Sequence, residues 1–433
     1  MKNYLKLDEA SYIKKQPNGF FLSAVIKGIR TEVGLNNSAV EILKCLTGEY
    51  TLSEIILKLS EKFSEEYQKI EKIVREFVRC LDSGGLVKYN ENQNFSPIQV
   101  RGSEDYYVPE LVVLELTHKC PLKCKHCFVN AGVGPSMNKT KLMDILYEFT
   151  EHGVQCIQLT GGEPFSYPYI EDVVDFLISK NIRIQITTSG FIFNKKIQRI
   201  LDKITMRGSL VQISLDGLET EHNEIRGHPA AYQKAITFIE ECIQREITVV
   251  AATCIINQSI EDIEELMGRL RDLGVSLHRI GGISDQGRAK ENNLFPNFSF
   301  SKINSLIDYL KEKYETDHFK VGGFEDIDCS REMNCGAGFR IIKVSPLFMV
   351  SPCPMMQLNI GNLNNENMEN IFRRNSRIFL NLRRPFDDVC KKCKLLEECK
   401  NCIAEGFNNK NKVDNCYWYT EQYLINKEAT YET

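Results

Sequence analysis

Between residues 111 and 283 the chain alternates two kinds of segment. Short apolar, β-branched runs read "LVVLELT", "CIQLTGG", "IRIQITTSG", "LVQISLDG", "TVVAATCIIN" and "LHRIGGI". Between them, apolar residues recur every three or four positions in "KTKLMDILYEFTEHG", "YIEDVVDFLISKN", "NKKIQRILDKI", "AYQKAITFIEECIQR" and "IEDIEELMGRLRDLG". Six strands alternating with helices at a spacing of about 30 residues predict right-handed βαβ units around a parallel sheet, an α/β fold. In such sheets the working residues lie beyond the C-terminal strand ends. That rule puts "KCPLKCKHC", "TGGEP", "TTSG", "SLDG" and "IIN" on one rim.

Residues 1–92 follow another pattern, that of a small winged-helix-like α+β unit. "GFFLSAVIKGIRTEVGL" predicts two short strands about a Gly-containing turn, and "NNSAVEILKCLTG" a helix with an Asn/Ser cap. "TLSEIILKLSEKF" adds a second helix with Thr51 and Glu54 as a capping box. "EEYQKIEKIVREFVRCLDSGG" makes a third, and "LVKYN" a wing-like strand. The polar stretch from 93 to 110 reads as a linker and 111–320 as the alternating domain. Residues 321–433 are turn-rich and punctuated by cysteine, with "NENMENIFRRNSRIFLNLRR" as the long helix.

Charge and composition narrow the function classes. A net charge of -4 over 433 residues offers no electrostatic reason for a nucleic-acid or anionic-membrane partner. The helix "TLSEIILKLSEKF" is mixed in charge, which argues against DNA reading by the winged unit. The first residues lack a signal-peptide core, and the apolar stretch "TVVAATCII" is far shorter than the ~18–20 residues of a membrane span. A soluble, cytoplasmic protein is expected. Sixteen cysteines in such a chain point to metal or redox chemistry, not to a disulfide framework. Five of them (Cys45, Cys80, Cys156, Cys242, Cys254) sit among apolar residues and read as small hydrophobes.

Cys120, Cys124 and Cys127 fall within eight positions directly after the first strand. Three thiolates are one short of a closed zinc or iron–sulfur site, so a fourth ligand comes from elsewhere or one position is open. Zinc would need His118 or His126 beside the triplet. The C-x₃-C-x₂-C loop followed one strand later by "TGGEP" resembles the radical S-adenosylmethionine (radical SAM) superfamily, over about residues 111–290. That resemblance implies a partial (β/α)6 barrel, with a [4Fe-4S] cluster on the three cysteines whose open iron is chelated by SAM. Gly161, Gly162 and Glu163 would line the methionine moiety, with Glu163 on its amine. Thr188, Ser189, Ser214 and Asp216 would meet ribose and carboxylate, and Arg226 would pair with the carboxylate. His126 takes the position where the motif commonly has an aromatic ring, beside the bound SAM. One electron would then cleave SAM to methionine and a 5′-deoxyadenosyl radical that takes a substrate hydrogen.

The later cysteines are spaced as Cys329-x₅-Cys335-x₁₇-Cys353 and Cys390-x₂-Cys393-x₅-Cys399-x₂-Cys402-x₁₃-Cys416. Eight thiols suffice for two four-cysteine clusters, and by spacing alone equally for two zinc sites. The run resembles the SPASM extension of radical SAM enzymes, which implies two auxiliary [4Fe-4S] clusters and three in all. Cys329, Cys335, Cys353 and Cys402 would hold the first; Cys390, Cys393, Cys399 and Cys416 the second. Cys399-x₂-Cys402 departs from the more usual x₃, and some relatives lack a counterpart of Cys329.

Residues 15–92 resemble the peptide-recognition element of the pyrroloquinoline-quinone chaperone type, which implies binding of a precursor's leader as an added strand. With "NCGAGFRIIKVSP" and "IRGHPAAY", the three parts together resemble subtilosin-A-type sactisynthases. These join peptide cysteine sulfur to carbon, and the likeness implies an electron donor such as flavodoxin or ferredoxin. The cysteine framework is shared with carbon–carbon crosslinking, epimerising and side-chain thioether enzymes. A redox-sensing iron–sulfur transcription factor would explain the winged unit but not "TGGEP" or "SLDG".

Overall fold

The computed structural model describes residues 3–26, 29–204, 209–294, 300–324, 334–390, 392–399 and 402–424. The chain divides into two units, residues 1–108 with 149–155, and residues 109–148 with 156–433.

The first unit contains β1 (Tyr4–Leu7), β2 (Tyr12–Gln16), β3 (Gly19–Ile26), β4 (Ile29–Leu35), α1 (Asn37–Cys45), β5 (Thr47–Thr51), α2 (Leu52–Phe63), α3 (Tyr67–Ser83), β6 (Val87–Asn90) and β7 (Val100–Gly102). The expected helices and the hairpin β3–β4 are present, and Thr51 and Glu54 form the capping box that starts α2. Two small sheets run β5-β1-β6 and β4-β3-β2-β7, over a core that includes Leu22, Leu43, Ile55, Leu59, Val74 and Val78. Four strands had no sequence expectation. In β2, alternation is hidden because Lys14 is fully buried and neutralised by Glu32 of β4 at 2.8 Å. The polar stretch after Asn90 contains β7, paired with β2, so part of the expected linker completes this sheet.

Among the described residues β4 is the last strand of its sheet. Between it and α3 lies a cavity of about 520 Å³, lined among others by Leu22, Val33, Gly34, Leu35, Ile73 and Phe77. Val33 and Ile73 are half exposed there. Gly34 has an ordinary negative φ and no atom within 4 Å of where its Cβ would be, so neither backbone nor packing requires a glycine.

The second unit follows the expected alternation. Its elements are β8 (Leu111–Thr117), α4 (Lys139–His152), β9 (Cys156–Gly161), α5 (Ile170–Ser179), β10 (Arg183–Thr188), α6 (Lys195–Ile204), β11 (Leu210–Ser214), α7 (Glu219–Arg226), α8 (Ala231–Gln244), β12 (Thr248–Ile255), α9 (Ile260–Leu273), β13 (Leu277–Gly282), α10 (Gly287–Glu291), α11 (Phe300–Tyr314), β14 (Lys320–Gly323), β15 (Ile341–Val344), β16 (Met349–Ser351), β17 (Gly361–Asn362) and α12 (Met368–Phe379). The six expected strands are β8 to β13, adjacent in order and all parallel. The sheet continues beyond both ends, through β14 beside β13 and β15 beside β8, to ten strands. β15 to β17 span only two to four residues, too few for alternation to announce them.

Burial on the two faces differs. Ile157, Leu159, Ile184, Ile186, Val211 and Ile213 are fully buried under the helices. The opposite face of β9 to β11 carries half-buried Gln158, Gln185 and Gln212. Gln158 stands directly across from Gln185, and Gln212 across from Thr187. This inner face is therefore polar, although the runs that form it are mostly apolar and β-branched.

Candidate functional site

Every motif expected on the rim is there. β8 leads into a loop that folds back on itself, with the backbone N–H of His118 donating to Pro135 O at 2.8 Å and that of Cys120 to Gly132 O at 3.0 Å. The next loop packs directly onto it: Gly162 N–H donates to Thr117 O at 2.6 Å and Glu163 N–H to Lys119 O at 2.9 Å. A Cβ on Gly162 would stand 2.5 Å from Lys119 O, so the two glycines of "TGGEP" permit backbone-to-backbone approach.

Glu163 is completely buried. Its carboxylate accepts from Thr188 Oγ1 at 2.7 Å, Ser189 Oγ at 2.5 Å, Ser189 N–H at 3.0 Å and Phe165 N–H at 3.3 Å. Thr188 and Ser189 thus orient Glu163 from the end of β10. Burial pushes the Glu163 pKa up, and no cationic side chain among the described residues pairs with it. A buried carboxylate with only neutral donors is suited to receive a cation.

A second constellation forms where β11 ends. α7 had no sequence expectation, because "ETEHNEIR" has almost no apolar period. It places His222 and Arg226 four residues apart on one buried face, and it ends at Gly227, whose left-handed φ of 70° stops the helix. Both side chains converge on buried Asp216: Arg226 Nε lies 2.7 Å from Oδ2, and Asp216 N–H donates to His222 Nδ1 at 3.0 Å. Asp216 Oδ1 accepts from Cys254 N–H at 3.1 Å, and His126 Nε2 lies 3.6 Å from Oδ2. Gln258 ties the same turn together, donating to the carbonyls of Asp216 at 2.5 Å and Cys254 at 3.0 Å. Burial opposes ionisation of Asp216, yet Arg226, then His126 and His222, hold it below its ordinary value. Burial, helped by Arg226, lowers His222 to about 3 and keeps it neutral, so Nδ1 can accept. Arg226 also reaches the cysteine loop, its Nη1 3.7 Å from Cys124 Sγ. Ser214 closes β11 half-buried, opposite Ala252 of β12.

Several polar atoms here are sealed from water without an aligned partner. They are His126 Nδ1, Asp216 Oδ2 and Arg226 Nε, the last two forming a close ion pair in which the N–H does not point along the contact. Buried groups in that condition mark the place of a polar ligand. Beside them Cys120, Cys124 and Cys127 are free thiols; burial pushes the Cys120 thiol up to about 12 and raises Cys124 as well. Such thiols keep their protons until a metal displaces them. Ala131 N–H already points at Cys127 Sγ, at 3.4 Å. Among the described residues no three His, Cys, Asp or Glu side chains surround one point, as a single tetrahedral ion would require. A cluster that takes one thiolate per iron needs no such convergence. Three soft donors, orphaned polar atoms and a cation-seeking carboxylate fit an iron–sulfur cluster with SAM beside it.

Of the later cysteines, Cys329 lies outside the described residues. Cys335 and Cys353 are within electrostatic reach of each other. Cys390 feels Cys393 and Cys416, and Cys399 feels Cys393. Asn409 Nδ2 donates to Cys399 Sγ at 3.5 Å, while Cys402 sits half-buried at the start of the helix Ile403–Asn409.

The chain is similar to proteins of known kind. Residues 114–270 match the radical SAM superfamily, and residues 24–87 match coenzyme PQQ synthesis protein D (PqqD). The antilisterial bacteriocin subtilosin biosynthesis protein AlbA of Bacillus subtilis is 25% identical over 90% of this chain and 89% of its own length. The sporulation killing factor maturation protein SkfB of the same species is 23% identical over 64% of this chain and 67% of its own. Among solved structures, Streptococcus suis SuiB bound to the precursor peptide SuiA superimposes with a TM-score of 0.65 at 16% identity, covering 95% of this chain and 98% of that one.

Proposed function

This chain is a radical SAM enzyme with an N-terminal PqqD-like domain, and on that premise we propose that it matures a ribosomally made peptide, joining cysteine sulfur to carbon as a thioether. Two of its relatives are named for making a bacteriocin and a killing factor, which supports the peptide class. The observation that carries the substrate class is the terminal strand β4, last in its sheet among the described residues, beside an apolar cavity. An extended leader adds there as a strand, with alternate side chains in the cavity.

Cys120, Cys124 and Cys127 would hold the cluster, and Glu163 would receive the ammonium of SAM, kept in place by Thr188 and Ser189. Asp216, Arg226 and His126 would satisfy SAM's remaining polar groups, with Gly161, Gly162 and Ser214 lining the same rim. When bound, cluster and SAM supply a 5′-deoxyadenosyl radical that removes a hydrogen atom from the peptide. The inner sheet face receives the peptide. Gln158 Nε2 donates to Thr187 Oγ1 at 2.6 Å, and Arg279 Nη1 donates to Gln212 Oε1 at 3.3 Å. Among the described residues Gln158 Oε1, the Gln185 amide and Gln212 Nε2 make no side-chain hydrogen bond that would occupy them. A primary amide donates and accepts, matching the N–H and C=O of a peptide backbone. Forming one C–S bond releases the C–H hydrogen and the thiol proton, with one electron left over. We assign two further clusters to Cys335, Cys353 and Cys402 with Cys329, and to Cys390, Cys393, Cys399 and Cys416; either is a place for that electron.

The test is mass spectrometry of a cysteine-containing precursor after anaerobic incubation with reconstituted enzyme, SAM and reductant, followed by thiol alkylation. Loss of two hydrogens per bond, with those cysteines no longer alkylating, is expected; Cys124→Ala should do nothing. The same mass loss with every thiol reactive would replace thioether formation by carbon–carbon or dehydrogenation chemistry. Unchanged mass with solvent deuterium incorporated would make the enzyme an epimerase.

A further inference from the structure

The motifs of the rim leave "SDQGRAKEN", residues 284–292, unexplained. It follows β13 and includes the short helix α10. Arg288 meets the cysteine loop at three points: Nε donates to Cys124 O at 2.7 Å, Nη1 to Ala131 O at 2.6 Å, and its backbone N–H to Cys127 O at 2.9 Å. Asn292 Nδ2 donates to Lys125 O at 2.8 Å, and Asn130 Nδ2 to Glu291 Oε1 at 2.7 Å. Gly287 has a left-handed φ of 52°, and a Cβ there would stand 2.5 Å from both Cys127 O and Phe128 O. Gln286, nearly buried, donates from Nε2 to Met355 O at 3.1 Å, two residues beyond Cys353. Asp285 pairs with Lys412 at 3.1 Å.

We propose that Gln286, Gly287 and Arg288 form a bracket that positions Cys124 and Cys127 for the cluster, anchored on the C-terminal cysteine region. Between Cys124 and Asn130 the loop's own backbone bonds are long: Cys127 N–H to Cys124 O is 3.3 Å, and Asn130 N–H to Cys127 O is 3.4 Å. Left to those, the two thiols would sample many orientations, whereas ligation needs placement to about 0.5 Å. The guanidinium is a planar fork with fixed donors, so one side chain grips the carbonyls of Cys124 and Ala131 and sets the span between them. A lysine carries three donors on one atom and lacks the fixed spacing that sets this span. Gly287 supplies the close approach that lets the fork reach. No atom of Arg288 is bonded to a cysteine sulfur here, so this is a positioning residue. The inference rests on the cysteine loop holding an iron–sulfur cluster.

The test compares the wild-type chain with Arg288→Gln, Arg288→Lys, Gly287→Ala and, as control, the exposed Lys290→Ala, all reconstituted anaerobically. Iron and sulfide are counted, and the EPR signal of the reduced protein is recorded before and after SAM, since only a cluster with an open iron responds. Arg288→Gln and Gly287→Ala should each lose at least fivefold of the SAM-responsive signal. Arg288→Lys should recover part of it and Lys290→Ala all of it, with the thermal melts of the apo-proteins alongside. Gly287→Ala removes no donor, so agreement with Arg288→Gln would locate the effect in the loop itself. A wild-type SAM response in both Arg288→Gln and Gly287→Ala overturns the bracket. No SAM response in the wild-type chain itself would overturn the cluster premise instead, and the bracket with it.

Discussion

Replacing Glu163 with glutamine removes one charge and almost no volume from the centre of the site. In the folded apo-protein the carboxylate is fully buried, and burial raises its pKa above the ordinary 4.5. A raised carboxylate pKa means that ionisation disfavours the fold. The penalty is absent below the ordinary value, grows as pH rises, and is complete above the raised value. Glutamine removes it at neutral pH. Against that gain, the end that replaces Oε1 can no longer accept; the Thr188 hydroxyl turns to accept from the new amide, and the Phe165 N–H bond at 3.3 Å is lost at a cost of about 1 kcal/mol. Apo stability should therefore change by no more than ~1 kcal/mol. SAM affinity should behave differently, because a charge-assisted hydrogen bond to its ammonium contributes roughly 1.5–3 kcal/mol. At about 1.4 kcal/mol per decade, the Kd for SAM should rise roughly 10- to 150-fold. Urea denaturation of the apo-protein and equilibrium dialysis of SAM on the reconstituted protein measure the two quantities. A Kd for SAM within about threefold of wild type, or an apo-protein weakened by more than ~3 kcal/mol, would refute the assignment of Glu163 as the ammonium's receptor.

Three other outcomes follow from the geometry. Gly34→Val fills open space on the leader cavity and suits a strand, so it should hold or raise stability by about 0.5–1 kcal/mol; a fluorescent leader peptide should nevertheless bind at least tenfold more weakly, while SAM cleavage without peptide is unchanged. Gln185→Leu should raise the KM for precursor and the ratio of 5′-deoxyadenosine to modified peptide, read by liquid chromatography, whereas an unchanged ratio would remove Gln185 from the peptide path. Buried His278, bonded to Thr253 Oγ1 at 2.7 Å, is lowered by burial to about 3, so its contribution is present above the unfolded value near 6.5 and lost as pH falls below it. Between pH 7.5 and 5.5 His278→Gln should lose about 1.4 kcal/mol less stability than the wild-type chain, by urea denaturation at both pH values.

Local chemistry was what made the rim legible. The cysteine triplet, "TGGEP" and "SLDG" each follow an apolar run, and a parallel sheet puts all such ends together, so one-dimensional order became three-dimensional proximity. The partners of those motifs were another matter. Thr188 and Ser189 were expected to meet SAM; the structure adds that their hydroxyls orient Glu163, the carboxylate expected on its amine. Arg226 was expected on the SAM carboxylate; its pairing with Asp216 and its approach to Cys124 had no sign in the sequence. Arg288 had no signal, because it acts on backbone carbonyls more than 150 residues away, and carbonyls have no sequence signature.

What the sequence by itself determined is what repeats at short range: the six strands with their helices, the capping box at Thr51 and the donor set of three thiols. Periodicity and motif spacing carry these, since both depend on neighbours a few residues apart. Tertiary structure decided the rest. It matched Lys14 of β2 to Glu32 of β4, ran β15 beside β8, turned three glutamines to an inner face and set Glu163 among neutral donors. Each depends on which distant group arrives opposite a given side chain, and burial, by making every unmatched charge or amide costly, is what turns those meetings into function.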